Sequence, residues 1–167
     1  MSKTLEILKE AILLERRGRQ LYSSFAEQAG NEKVKKIFSI MANEEKAHED
    51  FLTQQYKNYL KERKFTGDFS AQNDGADDRL SAMVFDKGFI NTLGAASFEA
   101  AAISASIELE NKTIKIYTER AKNAPDPFEK SLFQMLADWE KTHFRVLREL
   151  DDSLKSEVWD KTDFWDK

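Results

Sequence analysis

The sequence predicts an all-α protein, a four-helix bundle with one long crossover between the second and third helices. Three observations carry that prediction. Only 6 Gly and 2 Pro punctuate 167 residues, so long stretches run without a turn signal. Apolar residues recur at helical spacing in four segments. The pattern of the first two segments returns 95 residues later in the last two.

The first helix is expected from about Thr4 to Ala29. Its apolar stripe is Leu8, Ala11, Ile12, Tyr22, Phe25 and Ala29, interrupted by Glu15 and Gly18. Gly30-Asn31 then ends that helix and caps the next. The second helix carries Val34, Phe38, Met41, Glu45, His48, Leu52 and Tyr56 on one face and extends to about Lys61. Residues 62–97 form the crossover. Thr66, Gly67, Asp68, Asn73, Asp74, Gly75 and Asp77 make it polar and turn-rich, with a short helix placed around Arg79 to Ile90. Ser97 is placed as the cap of the third helix, whose stripe is Ile103, Ile107, Glu110, Ile114 and Tyr117. Asp126-Pro127 starts the fourth, with Asp as cap and Pro at the first helical position. Its stripe is Leu132, Phe133, Leu136, Glu140, His143, Leu147 and Leu150. One domain is expected over residues 1–155, with helix pairs at 4–61 and 98–155. An aromatic, acidic tail over 156–167, with Trp159, Phe164 and Trp165, is expected to dock on the bundle or meet a partner.

The 95-residue offset relates caps, core and polar positions together. Tyr22 maps to Tyr117, Ala26 to Ala121, Asn31 to Asp126, Phe38 to Phe133, Ala42 to Ala137 and Leu52 to Leu147. A duplicated helix pair explains this, and a short connection makes the helices of each pair antiparallel neighbours.

Composition narrows the function. A net charge of −4 and a pI near 5.4 argue against a nucleic-acid partner, which calls for a basic stripe. The absence of Cys excludes disulfides, iron–sulfur clusters and thiolate-bound zinc from these residues. The first residues have no apolar signal core, and no run of about 18 apolar residues offers a membrane span. A soluble, cytoplasmic protein without membrane contact is the expectation.

The polar residues inside the stripes carry the chemistry. Glu45-Lys46-Ala47-His48 and Glu140-Lys141-Thr142-His143 repeat a Glu-x-x-His motif, and the chain's only 2 His both lie in it. Residues three apart share a helix face. Thirty residues before each motif stands another striped Glu, Glu15 and Glu110. Unpaired carboxylates on apolar stripes are unfavourable by several kcal/mol each, roughly, unless protonated or paired. The stripes contain few Lys or Arg to pair with. Four carboxylates and two imidazoles from four helices are the ligand set of a carboxylate-bridged two-metal site. Two divalent ions balance four negative charges, and a set without thiolates favours iron or manganese, or a mixed Fe/Mn pair, over structural zinc. Tyr22 and Tyr117, two turns after Glu15 and Glu110, are placed to hydrogen-bond metal-bound carboxylates; core packing or electron transfer are their other readings. Trp139 is read as a packing residue, and Glu44, Glu49, Glu99, Glu108 and Asp138, lying off the stripes, as solvated or surface-paired.

Glu15-Arg16-Arg17-Gly18-Arg19-Gln20-Leu21-Tyr22 followed by Ala26 resembles the first-helix signature of the rubrerythrin branch of the ferritin-like superfamily. Glu110 to Tyr117 resembles its third-helix counterpart, and the two Glu-x-x-His motifs resemble those of its second and fourth helices. The resemblance spans roughly residues 4–155. It implies a non-haem di-iron site, two Fe ions on Glu15, Glu45, His48, Glu110, Glu140 and His143, with Glu45 and Glu140 as bridges and no catalytic side chain beyond the ligands. It implies an oxidoreductase that reacts with hydrogen peroxide or dioxygen, an external electron donor such as a rubredoxin, and a homodimer. Two departures stand out. Rubrerythrins typically carry a four-Cys rubredoxin domain, and these residues have no Cys. Peroxidase-type members also have an extra Glu one turn after the third-helix ligand, where this chain has Thr113. Bacterioferritin shares the six-ligand pattern, but its haem-binding Met after the second-helix Glu is here Lys46, so no haem is expected. Ferroxidase or iron-storage activity and a metal-stabilised interaction bundle are the alternative functions.

Overall fold

The computed structural model describes residues 2–67, 80 and 98–161, with side chains through 156. Among the described residues four long helices stand out: α1 (Lys3–Gln28), α2 (Glu32–Glu62), α3 (Phe98–Asn123) and α4 (Pro127–Lys161). The N-caps of α2 and α4 sit where the repeat puts them. Asn31 accepts from the backbone N–H of Lys33 at 2.9 Å and Val34 at 3.2 Å. Asp126 accepts from Phe128 at 2.7 Å and Glu129 at 3.2 Å, with Pro127 as the first helical residue. Both side chains satisfy amides that have no partner inside their helix.

Gly30 ends α1 by a different device from the left-handed glycine cap. Among the described residues only Arg63 and Gly67 have positive φ. The carboxylate of Glu99, at the start of α3, instead accepts from the N–H groups of Gly30 at 2.8 Å and Asn31 at 3.2 Å. Arg63, at φ 55°, is the left-handed cap of α2. Beyond it, buried Gln55 holds the first crossover residues, donating to Thr66 O at 2.7 Å and accepting from Thr66 N at 3.1 Å. Of the short helix placed at 79–90 only Leu80 is described, helical and fully buried; the remainder lies outside the described residues, as do Ser97, Phe164 and Trp165. α4 runs to Lys161, so the first part of the segment read as a tail continues the helix.

Helix directions follow from which residues meet. Phe25 packs on Phe38, and Glu15 meets His48, so α1 and α2 are antiparallel. Tyr117 packs on Phe133, and Glu110 meets His143, giving the same relation for α3 and α4. Tyr22 reaches Glu110 and Tyr117 reaches Glu15, which makes α1 antiparallel to α3. His48 stacks on Trp139, and His143 bonds Glu44, which makes α2 antiparallel to α4. α2 and α3 therefore run the same way. The chain between them has to return along a helix length of about 45 Å, which is why the connection is long. This is the ferritin-like arrangement expected from the sequence.

Among the described residues the core falls into two apolar clusters. One gathers Ala26, Val34, Ile37, Phe38, Met41, Leu80, Ile103, Leu147 and Leu150. The other gathers Leu8, Ala11, Leu52, Leu132, Phe133 and Leu136. Tyr22 belongs to the first and Tyr117 to the second. Their hydroxyls turn toward a polar layer between the clusters.

Candidate metal centre

That layer is built from Glu15 of α1, Glu45 and His48 of α2, Glu110 of α3, and Glu140 and His143 of α4. All six are buried, none more than 8% exposed. They form two overlapping quartets, Glu15, Glu45, His48, Glu140 and Glu45, Glu110, Glu140, His143. Within each, one ligand atom per residue lies within 4.8 Å of all the others. Glu45 and Glu140 belong to both, which is where bridging carboxylates have to stand. His48 Nδ1 lies 3.0 Å from Glu15, 3.4 Å from Glu140 and 3.7 Å from Glu45. His143 Nδ1 lies 3.3 Å from Glu45, 3.4 Å from Glu110 and 3.5 Å from Glu140.

The residues fit a pair of cations on two observations of this structure. Among the described residues Glu140 Oε1 and His143 Nδ1 are buried with no hydrogen-bond partner, although both face the centre of the cluster. Such orphaned atoms are rare in native interiors and call for an ion or water. Gly18 supplies the second. A Cβ there would stand 3.1 Å from Glu45 Cδ and 3.3 Å from both of its oxygens. The glycine that interrupts the α1 stripe is the gap into which the Glu45 carboxylate fits. Beside it, Leu14, Glu15, Gly18, Glu45, Leu109, Glu110, Thr113 and Glu140 line a cavity of about 10 Å³ between α1 and α3, close to the room one water needs. Thr113 is buried, and its hydroxyl donates to Leu109 O at 3.1 Å.

Surrounding groups hold the ligands in place. Tyr22 donates to Glu110 and Tyr117 to Glu15, so each half of the repeat secures a carboxylate of the other. His143 Nε2 bonds Glu44 at 2.6 Å. His48 stacks on Trp139, centroids 4.4 Å apart and planes 14° from parallel. Arg16 pairs with Glu49 at 2.7 Å, and Arg19 stands 3.4 Å from it.

The electrostatics are those of a site with crowded acids. Burial raises Glu15 well above the usual carboxylate range, aided by the Glu140 and Glu45 charges. Burial and Glu140 do the same to Glu110. Burial also opposes ionisation of Glu45 and Glu140, but the His143 and His48 imidazoles outweigh it and both end lowered. For each imidazole, burial alone would lower the pKa. The carboxylates around His48 (Glu140, Glu15, Glu45) and around His143 (Glu110, Glu140, Glu44, Glu45) overcome this and raise both. Burial and the neighbouring carboxylates raise Tyr22 and Tyr117, so both phenols stay protonated as donors.

Three of the acids read as solvated or surface-paired are not. Glu44 is partly buried against His143, Glu49 is buried in its Arg16 and Arg19 pair, and Glu99 is buried on the α1–α2 turn. Glu108 and Asp138 are exposed as expected, Asp138 pairing with Lys141 at 2.7 Å. The Glu49 pair leaves only a faint trace in the sequence: Arg16 adjoins Glu15 on α1 and Glu49 adjoins His48 on α2, so both flank ligands of the same helix pair. Glu44 leaves none, because its partner comes from a helix that the local pattern does not place.

A family model described as Rubrerythrin matches residues 6–91, just over half of the chain. No curated protein and no solved structure matches it. Among the described residues no helix is long and apolar enough to cross a membrane. The match begins in α1 and covers Glu15, Gly18, Tyr22, Glu45 and His48, half of the polar layer just described, and with the all-helical bundle it establishes that the chain belongs to the rubrerythrin family.

Proposed function

We propose that this protein is a non-haem di-iron oxidoreductase that reacts with hydrogen peroxide or dioxygen, using electrons from a separate donor protein of the rubredoxin type. The observation that carries this reading is the pair of buried quartets sharing Glu45 and Glu140. Glu15 and His48 complete one cation position, and Glu110 and His143 the other. Iron at these positions, with manganese or a mixed pair as variants, supplies the electron transfer to the oxidant. The chain's part is to fix the ligands, balance their charge, and limit access to the small cavity between α1 and α3. Tyr22 and Tyr117 keep Glu110 and Glu15 oriented by donating to them. With no Cys among the 167 residues, the electrons have to arrive from outside them. A homodimer and a cytoplasmic setting complete the proposal.

Thr113 favours a second reading. A neutral hydroxyl, already donating to Leu109, stands on α3 one turn after Glu110 where peroxidase-type relatives would place a carboxylate. Oxidation of captured ferrous ion by dioxygen, without electron return, suits that arrangement. Anaerobic ferrous titration followed by peroxide or dioxygen under absorption spectroscopy tests both. Two irons per chain and faster oxidation by peroxide support the first reading; faster oxidation by dioxygen, with iron taken up beyond two per chain, supports the second. Two-iron occupancy retained in Glu45→Ala or His48→Ala would refute the ligand assignment.

A further inference from the structure

The internal repeat breaks where it touches the ligands from behind. The counterpart of Glu44, 95 residues on, is Trp139. His143 accordingly has a carboxylate behind it, with Nε2 at 2.6 Å from Glu44, while the face of His48 lies on an indole. Among the described residues every carboxylate contact of His48 is through Nδ1.

The consequences differ for a cation. With Nε2–H donating to Glu44, the neutral His143 ring that a cation requires is the tautomer whose Nδ1 lone pair faces the quartet, and among the described residues that atom has no hydrogen-bond partner. A carboxylate on the far N–H of a ligating imidazole also makes the ring a stronger donor. Among the described residues His48 has no such support, and its Nδ1 is engaged with Glu15 at 3.0 Å, a contact a cation has to displace. Stacking on Trp139 orients the ring but adds no charge.

We propose that the two cation positions are unequal. The position of Glu45, Glu110, Glu140 and His143, backed by Glu44, fills first and holds harder; the position of Glu15, Glu45, Glu140 and His48 fills second, and Trp139 reports its occupancy. Glu44 is a positioning residue. The inference rests on the two-cation reading of the site.

Anaerobic titration of the full chain with Co²⁺ alone, followed by calorimetry and tryptophan emission, tests it. Two binding steps are expected. The emission lost in Trp139→Phe relative to wild type, which removes the contributions of Trp159 and Trp165, is expected to quench in the second step. Glu44→Gln keeps the shape and an acceptor oxygen but removes the charge, and should weaken the first step about 10- to 100-fold while leaving the second. Glu44→Asp, which restores the charge, should recover part of the loss. Two steps of equal affinity, quenching in the first step, or unchanged steps in Glu44→Gln would overturn the inequality while leaving the two-cation site standing. Binding of fewer than two Co²⁺ would overturn the site itself and the inequality with it. The order of quenching is read in protein with Glu44 intact, so the test survives a variant that fails to fold.

Discussion

Gly18→Ala separates the needs of the helix from those of the site. In the interior of α1, alanine stabilises a helix by about 1 kcal/mol relative to glycine. The added Cβ would stand 3.1 Å from Glu45 Cδ, where an ordinary contact, such as the 3.5 Å from a Cβ at Gly30 to Glu99 Oε1, is longer by about 0.4 Å. Without metal, the Glu45 carboxylate can shift by that amount, so the helix gain and the crowding roughly cancel. With metal it cannot. A bridging carboxylate has to satisfy two cations at once, and usable ligand distances tolerate about ±0.2 Å. The expected result is a metal-free melting temperature within a few degrees of wild type and a loss of cation affinity of about tenfold or more, or about 1.4 kcal/mol. Competition against a chromophoric chelator measures the affinity, and circular dichroism measures the melting. Gly30→Ala, whose Cβ makes only ordinary contact, serves as the control. Wild-type affinity at both positions in Gly18→Ala would refute the role assigned to this glycine.

Two further outcomes follow from the polar layer. Tyr22→Phe and Tyr117→Phe each remove the phenol donor from a buried carboxylate, and should destabilise the metal-free protein by about 1–3 kcal/mol. The loss should shrink once cations hold Glu110 and Glu15, so equal melting losses with and without metal would count against the reading. For pH dependence, His48 and His143 are raised above their ordinary 6.5, so their contribution to metal-free stability is full below that pH and is lost as pH rises through the raised values. Glu15 and Glu110, raised above 4.5, act in the same direction. Glu45 and Glu140, lowered from 4.5, contribute stability above that pH which is lost as pH falls through their lowered values. The metal-free melting temperature should therefore peak in mildly acidic solution and fall toward alkaline pH. Cation affinity should rise with pH, with protons released on binding. Calorimetry in buffers of different ionisation enthalpy counts those protons, and uptake without proton release would contradict the assignment.

The sequence made the helix content and the six polar core positions readable because both are local signals. Glu15, Glu45, His48, Glu110, Glu140 and His143 each break an apolar stripe, and the 95-residue offset ties the two sets together. Asn31 and Asp126 were legible as caps for the same reason: a cap acts on amides two and three residues away. Contacts made across helices were not. Glu44 lies off the stripe of its own helix, and only the packing of α2 on α4 brings it to His143. Gly30 offered a glycine cap, but the actual partner, Glu99, comes from α3. Gly18 interrupts a stripe without stating why; its meaning depends on the carboxylate that fills the space.

Each quartet draws residues from both hairpins, α1–α2 and α3–α4. A cation taken up there would therefore also be a clamp between the two helix pairs of the internal repeat. An ion present at a thousand times its dissociation constant adds about 4 kcal/mol of cohesion. On the proposed two-cation reading, losing the ion would loosen one half from the other, so metal supply would set how firmly the two hairpins hold together.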